Sequence, residues 1–433
     1  MTMTTIPTAM AVMPTLRHVA AATLLVLSLA GCENALQVTN PGALQESQLG
    51  NPALEQFLVN GAIGEFQFAY VNYALWSGVL ADELITDHTN VSIREFSLHN
   101  FNDLNVTNEG IYGNIQRARQ SADDATTRVK TILGAGATSS LNVSRTLIYG
   151  AYAYVLLAEG FCDSPVNLSA ALTPAELFAR AITRFDEGIA VATAGRTGAN
   201  VAAAQDLIYM AQVGAARASL KKGDLAKARE YAALVPDTYE RLAYYSANSV
   251  RENNAVNAAV RTSGAFLGMH PSYVGLSDLR VAQPTVSRPG LNSAAIFPPM
   301  KPMNYSGWLP TGAAQTIDVT SNMRFASGLE ARYIGIEVDG PTAAMLTFVN
   351  ARRAVVGKAA VNLTGPALLT EFRQQRAYDF YLTGQRLGDL RRYATTGTDL
   401  FPTGKYPVFP DPYGNSKCFL VPQSEKSSNP NYK

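Results

Sequence analysis

The stretch that decides the fold is Leu207-Ile-Tyr-Met-Ala-Gln-Val-Gly-Ala-Ala-Arg-Ala-Ser-Leu-Lys221, followed by Lys222, Gly223-Asp224 and Leu225-Ala-Lys-Ala-Arg-Glu-Tyr-Ala-Ala-Leu234. The first run predicts a helix from Leu207 to Lys221. Gly223-Asp224 is a turn signal, the second run is helical again, and Pro236 stops it. Small residues fall at Ala211, Gly214, Ala215, Ala218, Ala228 and Ala232, at three- and four-residue spacings that share a helix face. The turn folds two helices back on each other, and small side chains let their backbones approach.

This hairpin resembles a tetratricopeptide repeat unit, in which a helix pair stacks on its neighbours. Ser144 to Phe161 and Pro174 to Ala192 supply a second pair. The former is nearly all Ala, Tyr, Leu and Val, which predicts burial on most sides. The latter opens with Thr173-Pro174 and Glu176: a hydroxyl cap, Pro at the first helical position and an acid in the first turn. Two to four such units are expected. Residues 53 to 86 and Ile111 to Leu133 also read as helix. From 239 to 340 the character changes: Asn, Ser, Gly and Pro rise and helical periodicity is lost. Helix returns over Pro341 to Asn350 and Gly365 to Tyr393, and the tail from Thr395 is irregular. The expected class is mainly α: tetratricopeptide-like helix pairs forming a superhelix, with a large loop-rich insertion at 239–340. The body divides into a lead (32–52), the helical part (53–238), the insertion and the C-terminal helices with the tail (341–433).

Upstream, Arg17 precedes an apolar run from Val19 to Ala30 that ends Leu29-Ala30-Gly31-Cys32. A basic residue, a short apolar segment and small residues describe a secretory signal. Cysteine directly after them is the bacterial lipobox, so residues 1–31 are expected to be removed and Cys32 lipidated. The competing reading is an ordinary secretion signal with a chance cysteine. The run is about a dozen residues, short of the ~20 needed to span a bilayer, whereas several acyl chains anchor a protein stably. The expected setting is outside the cytoplasm, held on a membrane by acyl chains.

Arg17 is the one charged residue of the signal. Of 35 Lys+Arg, 34 therefore stay with the mature chain, against 34 Asp+Glu. A nucleic-acid binder shows a basic excess or stripe, and none is present. Hydrophobic content of 47% with 16% charged residues describes a globular chain. With Cys32 lipidated, Cys162 and Cys418 are left over. In an oxidising compartment they suggest a disulfide, the alternative being two buried free thiols.

Four places in order then resemble the SusD/RagB family of outer-membrane nutrient-binding lipoproteins. They are the lipobox with Gln37-Val-Thr-Asn-Pro41; Trp76-Ser-Gly-Val-Leu-Ala-Asp82-Glu83; the helix pair ending Ala232-Ala-Leu-Val-Pro236; and Phe372-Arg-Gln-Gln-Arg376-Ala-Tyr-Asp379-Phe-Tyr-Leu-Thr-Gly384-Gln-Arg386-Leu-Gly-Asp389-Leu-Arg391-Arg392, followed by Val421-Pro-Gln-Ser-Glu425 and Asn429-Pro430. The family usually has Glu pairs where this chain has Gln374-Gln375 and Asp379. The resemblance implies a mostly α-helical body and a partner, a TonB-dependent (SusC-like) β-barrel transporter over which the lipoprotein sits as a lid. It implies a glycan ligand, with peptide-binding relatives known, and no chemistry.

The fourth place also reads on its own terms. Arg376 with Asp379, and Asp389 with Arg392, stand three residues apart, a spacing that pairs on a helix. With Arg386 they make either a structural network pinning this segment or an anion or sugar-acid site. The structural network is the reading adopted.

No catalytic constellation is present. His88, His99 and His270 lack zinc spacing, there is no Gly-x-Ser-x-Gly elbow, and no metal or cofactor is expected. Asp82, Glu83 and Asp87 could form a carboxylate cluster for calcium or acid–base work, but the family resemblance implies helix-end and loop contacts instead. What remains is binding of a neutral polar ligand, which calls for flat aromatics beside a few polar groups. Trp308, in the polar loop Asn304-Tyr305-Ser-Gly-Trp308, is the first candidate, with Tyr305, Asn304 and Tyr273 beside it. Trp76, Tyr70 and Tyr73 are assigned to the core. A repeat scaffold that only organises envelope proteins is the alternative from another class, and an anchored hydrolase a third.

Overall fold

The computed structural model describes residues 49–261, 265–281, 288–289, 295–308 and 315–432; Cys32 and the preceding signal lie outside them. Helix α1 spans Glu55–Leu80. After it come strand β1 (Leu84–Thr86), α2 (Val91–Ser97), α3 (Val106–Leu133), α4 (Leu141–Gly160), α5 (Pro174–Ala194), α6 (Val201–Lys222) and α7 (Leu225–Ala232). The start signals act through side chains. Asn105 accepts the Thr107 and Asn108 N–H groups at the head of α3, and Ser140 does the same for Asn142 and Val143 at the head of α4. Thr173 and Glu176 complete a reciprocal capping box on α5. Gly223 adopts φ +92° and Asp224 caps α7, which is the turn read from the sequence.

Successive helices pack side by side, α3 on α4, α4 on α5 and α5 on α6, while α1 lies against α3 and α4. The small-residue face explains how closely they approach. A Cβ on Gly214 would stand 2.2 Å from the Phe185 ring, so α6 meets α5 where only glycine fits. The main core runs through this stack, from Phe66, Tyr70 and Tyr73 of α1 to Tyr152, Phe185 and Val213. A buried Leu or Phe side chain contributes about 1.5–3 kcal/mol, so the superhelix is held chiefly by apolar burial. None of the described helices is long and apolar enough to cross a membrane.

The segment expected to be irregular is more ordered than its composition suggests. It holds β2 (Glu240–Ala243), α8 (Ala255–Val260), β3 (Leu267–Met269), β4 (Arg288–Pro289), β5 (Ala295–Ile296) and β6 (Met323–Ser327). All the pairings are antiparallel and two-stranded: β1 with β3, β2 with β6, β4 with β5. It also contains a twelve-residue helix, α9 (Gly328–Asp339), started by the Ser327 side chain accepting the Glu330 N–H. Its periodicity is masked because its apolar residues serve two cores. Ala331 and Ile334 face the main core, and Tyr333 faces a second cluster with Met345, Val349, Leu368, Phe372 and Phe380.

The remaining helices are α10 (Ala343–Ala354), α11 (Gly365–Asp379), α12 (Gln385–Thr395) and α13 (Gln423–Ser428). The helix expected over Gly365 to Tyr393 is thus two. Leu382 at φ +56° and Gly384 at φ +81° turn the chain between α11 and α12. The first helix also stops short of 86, at Leu80, because Asp82 takes φ +53° and the chain passes into β1. From that break α12 packs against α1, α4 and α6. Cys162 and Cys418 form a disulfide with Cα atoms 5.2 Å apart. Around it Phe419 donates its N–H to the Gly160 carbonyl at 2.8 Å and accepts that of Cys162 at 3.0 Å, locking the tail onto the end of α4. The described residues from Asn51 onward form one compact unit.

Candidate functional site

Where α1 ends, the chain builds a polar cluster from residues far apart in sequence. The Tyr413 hydroxyl donates to Asp82 Oδ1 at 3.2 Å. His99 Nε2 and His270 Nε2 each stand 3.8 Å from the same oxygen. His270 Nδ1 accepts the Ser272 N–H at 3.2 Å and its Nε2 lies 3.0 Å from the Tyr413 hydroxyl. That arrangement selects the neutral Nε2–H tautomer. Burial pushes the Asp82 carboxyl up to about 8, against the Tyr413 hydrogen bond and the nearby Arg386. Burial pushes His270 down to about 4 and His99 down to about 3. Near neutral pH the cluster therefore carries little charge of its own.

Asp82 and His270 form one wall of a cavity of about 470 Å³. Ser272 and Tyr273 continue that wall. α11 supplies Arg373, Gln374 and Tyr378, and α12 supplies Arg386. Tyr273 packs edge-on to Tyr378 with ring centroids 6.1 Å apart, and against Tyr381 at 4.9 Å. Gln374 holds the Tyr378 hydroxyl at 2.7 Å. Aromatic faces beside a few convergent polar groups, in a cavity of this size, suit a small polar ligand with apolar faces.

The charged residues of α11 and α12 sort into two sets. Asp379, at the end of α11, accepts from Arg280 at 2.9 Å, Arg352 at 2.7 Å and the Tyr333 hydroxyl at 2.5 Å. Arg376 instead donates to Asp389 at 2.7 Å, and Lys221 reaches the other oxygen of Asp389. Arg392 pairs with Glu337 at 2.5 Å. Both pairings expected from helical spacing, Arg376 with Asp379 and Asp389 with Arg392, are therefore replaced by longer-range ones, because these side chains face the interior rather than run along a solvated helix face. Burial pushes the Asp389 carboxyl up, but Arg376, Lys221 and Arg392 together outweigh it and hold the group below the usual carboxylate range. Arg386 behaves differently: it stands on the cavity wall outside this network.

The four aromatic and amide candidates do not converge. Tyr273 lies on the cavity. Asn304 and Tyr305 are buried, at 1% and 2% exposure, because the bridge from Tyr305 to Met323 stitches their loop to the edge of the β2–β6 pair. Asn304 there accepts from Arg324 at 3.1 Å, and the Tyr305 hydroxyl donates to the Leu382 carbonyl. Trp308 is half-buried, its indole N–H aimed at the Leu279 carbonyl at 3.4 Å. Trp76 packs on the main core against Phe96, and Tyr70 and Tyr73 are buried in it. Glu83 is a helix-end group, accepting the Leu382 N–H. Among the described residues no three acids, cysteines or histidines gather as a metal site would require. Sequence reasoning missed His270, Arg373, Gln374, Tyr378 and Tyr413. Their common signal exists only in three dimensions.

No protein-family model and no curated protein matches the sequence. Solved structures do. A SusD superfamily protein from Bacteroides vulgatus matches at TM-score 0.61 and 14% identity, over 87% of this chain and 97% of that one. A SusD-like protein from Bacteroides fragilis matches at TM-score 0.63 and 13% identity, over 90% and 98%. The surface glycan-binding protein A from Bacteroides thetaiotaomicron, solved in complex with laminarihexaose, matches at TM-score 0.62 and 13% identity, over 88% and 98%. With its helix pairs, its insertion and its returning C-terminal helices, the chain has the SusD-like fold.

Proposed function

We propose that this chain is a non-enzymatic lipoprotein of the outer-membrane surface, anchored through Cys32, that captures an oligosaccharide and delivers it to a TonB-dependent β-barrel. The observation that carries the reading is the cavity bounded by Tyr273, Tyr378, Gln374, Asp82 and Arg386 in a SusD-like fold. Two structures of that fold were solved with laminarihexaose and with a xylogluco-oligosaccharide. Sugars offer apolar C–H faces and hydroxyl edges, which tyrosine rings and fixed amide or carboxyl groups meet together. His270 and Tyr413 are engaged with each other and with Asp82, which supports recognition rather than proton transfer.

The test is calorimetric titration of the purified chain with a panel of oligosaccharides, laminarihexaose and xylogluco-oligosaccharide among them, beside Tyr378→Ala. Binding by the native chain that falls at least about tenfold in the variant supports the reading. A pull-down from detergent-solubilised membranes should recover a β-barrel of the TonB-dependent class in stoichiometric amount. Absence of both glycan binding and a barrel overturns the proposal and leaves a repeat scaffold as the better account.

A further inference from the structure

The arginines of the C-terminal helices are almost all engaged. Arg376 reaches Asp389 and Gln385, Arg391 donates to the carbonyls of Ala158 and Glu159, and Arg392 holds Glu337. Two differ. Neither Arg373 nor Arg386 donates a hydrogen bond or forms an ion pair with any described residue, and the Nε of each is buried with no acceptor. Both line the same cavity, Arg373 from α11 with its guanidinium 4.3 Å above the Tyr393 ring, Arg386 from α12. A guanidinium withdrawn from water without a carboxylate is costly to hold. Its planar fork of donors is matched to one, and such bidentate pairs are among the strongest hydrogen bonds.

Among the described residues the cavity wall supplies no anion to match them. Asp82 is its one described acid, tied to Tyr413 and pushed up by burial; burial pushes His270 down. The nearby Asp389 is already shared by Arg376 and Lys221, and Glu83 accepts from the Leu382 backbone. The cavity is thus cationic, with aromatic rings beside the charge.

We propose that this cavity takes an acidic sugar, a uronate unit of an oligosaccharide, its carboxylate held by Arg386 and Arg373 and its ring packed against Tyr273 and Tyr378. The inference rests on the glycan-capture reading and narrows it to one ligand class.

The experiment titrates the full mature chain with galacturonate, glucuronate and mannuronate oligomers, with their carboxyl-reduced neutral forms, and with laminarihexaose. The expected result is a preference of about 10- to 100-fold for at least one acid over its reduced form, the increment of a charged hydrogen-bonded contact. That preference should shrink as salt rises. Arg386→Gln and Arg373→Gln should each lower the affinity for the acid at least about tenfold more than the affinity for its reduced form. Arg386→Lys should restore part of the preference. Thermal melts of each variant separate lost binding from lost folding. Equal affinity for acid and reduced forms, or a preference insensitive to both substitutions, overturns the acidic-sugar assignment while glycan capture stands. No affinity for any sugar overturns both.

Discussion

Helices α11 and α12 carry two populations of charge that look alike in sequence and differ in circumstance. On one side Asp379 gathers Arg280, Arg352 and Tyr333, and Asp389 gathers Arg376 and Lys221. On the other, Arg373 and Arg386 border a cavity and form no hydrogen bond or ion pair with any described residue. The comparison teaches that residue type does not decide between structure and recognition. Partner supply separates the two sets: where the fold brings a carboxylate the arginine fastens helices, and where it brings none the arginine faces the cavity.

The sharpest way to break this contrast is Asp379→Asn. It takes the carboxylate from Arg352 and leaves Arg280 only Asp278, a loss of about 3–5 kcal/mol, read as a lower denaturant midpoint in equilibrium unfolding. If the cost is under 1 kcal/mol, the paired set is not what fastens α11 to α10 and to the Asp278–Arg280 segment. Separating Cys162 from Cys418 by a double Ser substitution comes next, at about 2–5 kcal/mol for a loop of this length, measured the same way.

A third prediction concerns the cluster beside the cavity. The Asp82 carboxyl is raised from 3.8 to about 8, so the unfolded chain ionises it at lower pH than the folded one. Its contribution to stability is complete below about pH 4 and is lost as pH rises towards 8. Asp82→Asn should therefore gain on the native chain by up to about 4 kcal/mol between pH 5 and pH 8, seen as converging or crossing melting temperatures. His99 and His270, lowered by burial, act oppositely and only as pH falls from 6.5, in both proteins alike. A gap that does not change with pH would show Asp82 to be ionised in the native state. The smallest expected effect is Arg386→Gln, under about 1 kcal/mol or stabilising, since nothing loses a partner. A loss as large as that of Asp379→Asn would erase the distinction between the two sets.

The helix stack was legible because its signals are local. Capping at Thr173 and the Gly223-Asp224 turn each act within a few residues, and the small face of Leu207 to Lys221 follows one helical period. The break at Gly384 was not, since glycine inside an amphipathic run is also tolerated in a helix. α9 was hidden because its apolar residues divide between two cores. At the site, Tyr273 and Arg386 were in view as residues, and the structure places Arg386 on the cavity wall. The long-range partners were not readable: Arg280 lies 99 residues from Asp379 and Tyr413 lies 331 from Asp82. Asn304 and Tyr305 misled because a polar loop seems exposed until a bridge to Met323 draws it inward.

The bond between Cys162 and Cys418 spans 256 residues and so encircles the insertion, helices α11 and α12 and most of the cavity wall in one covalent ring. A protease that cuts one peptide bond inside that ring opens it without releasing anything. The severed chain stays a single molecule, with the tail still attached to the end of α4, until a reductant arrives. Nicked protein should therefore run as one intact band on a non-reducing gel and as two fragments once reduced.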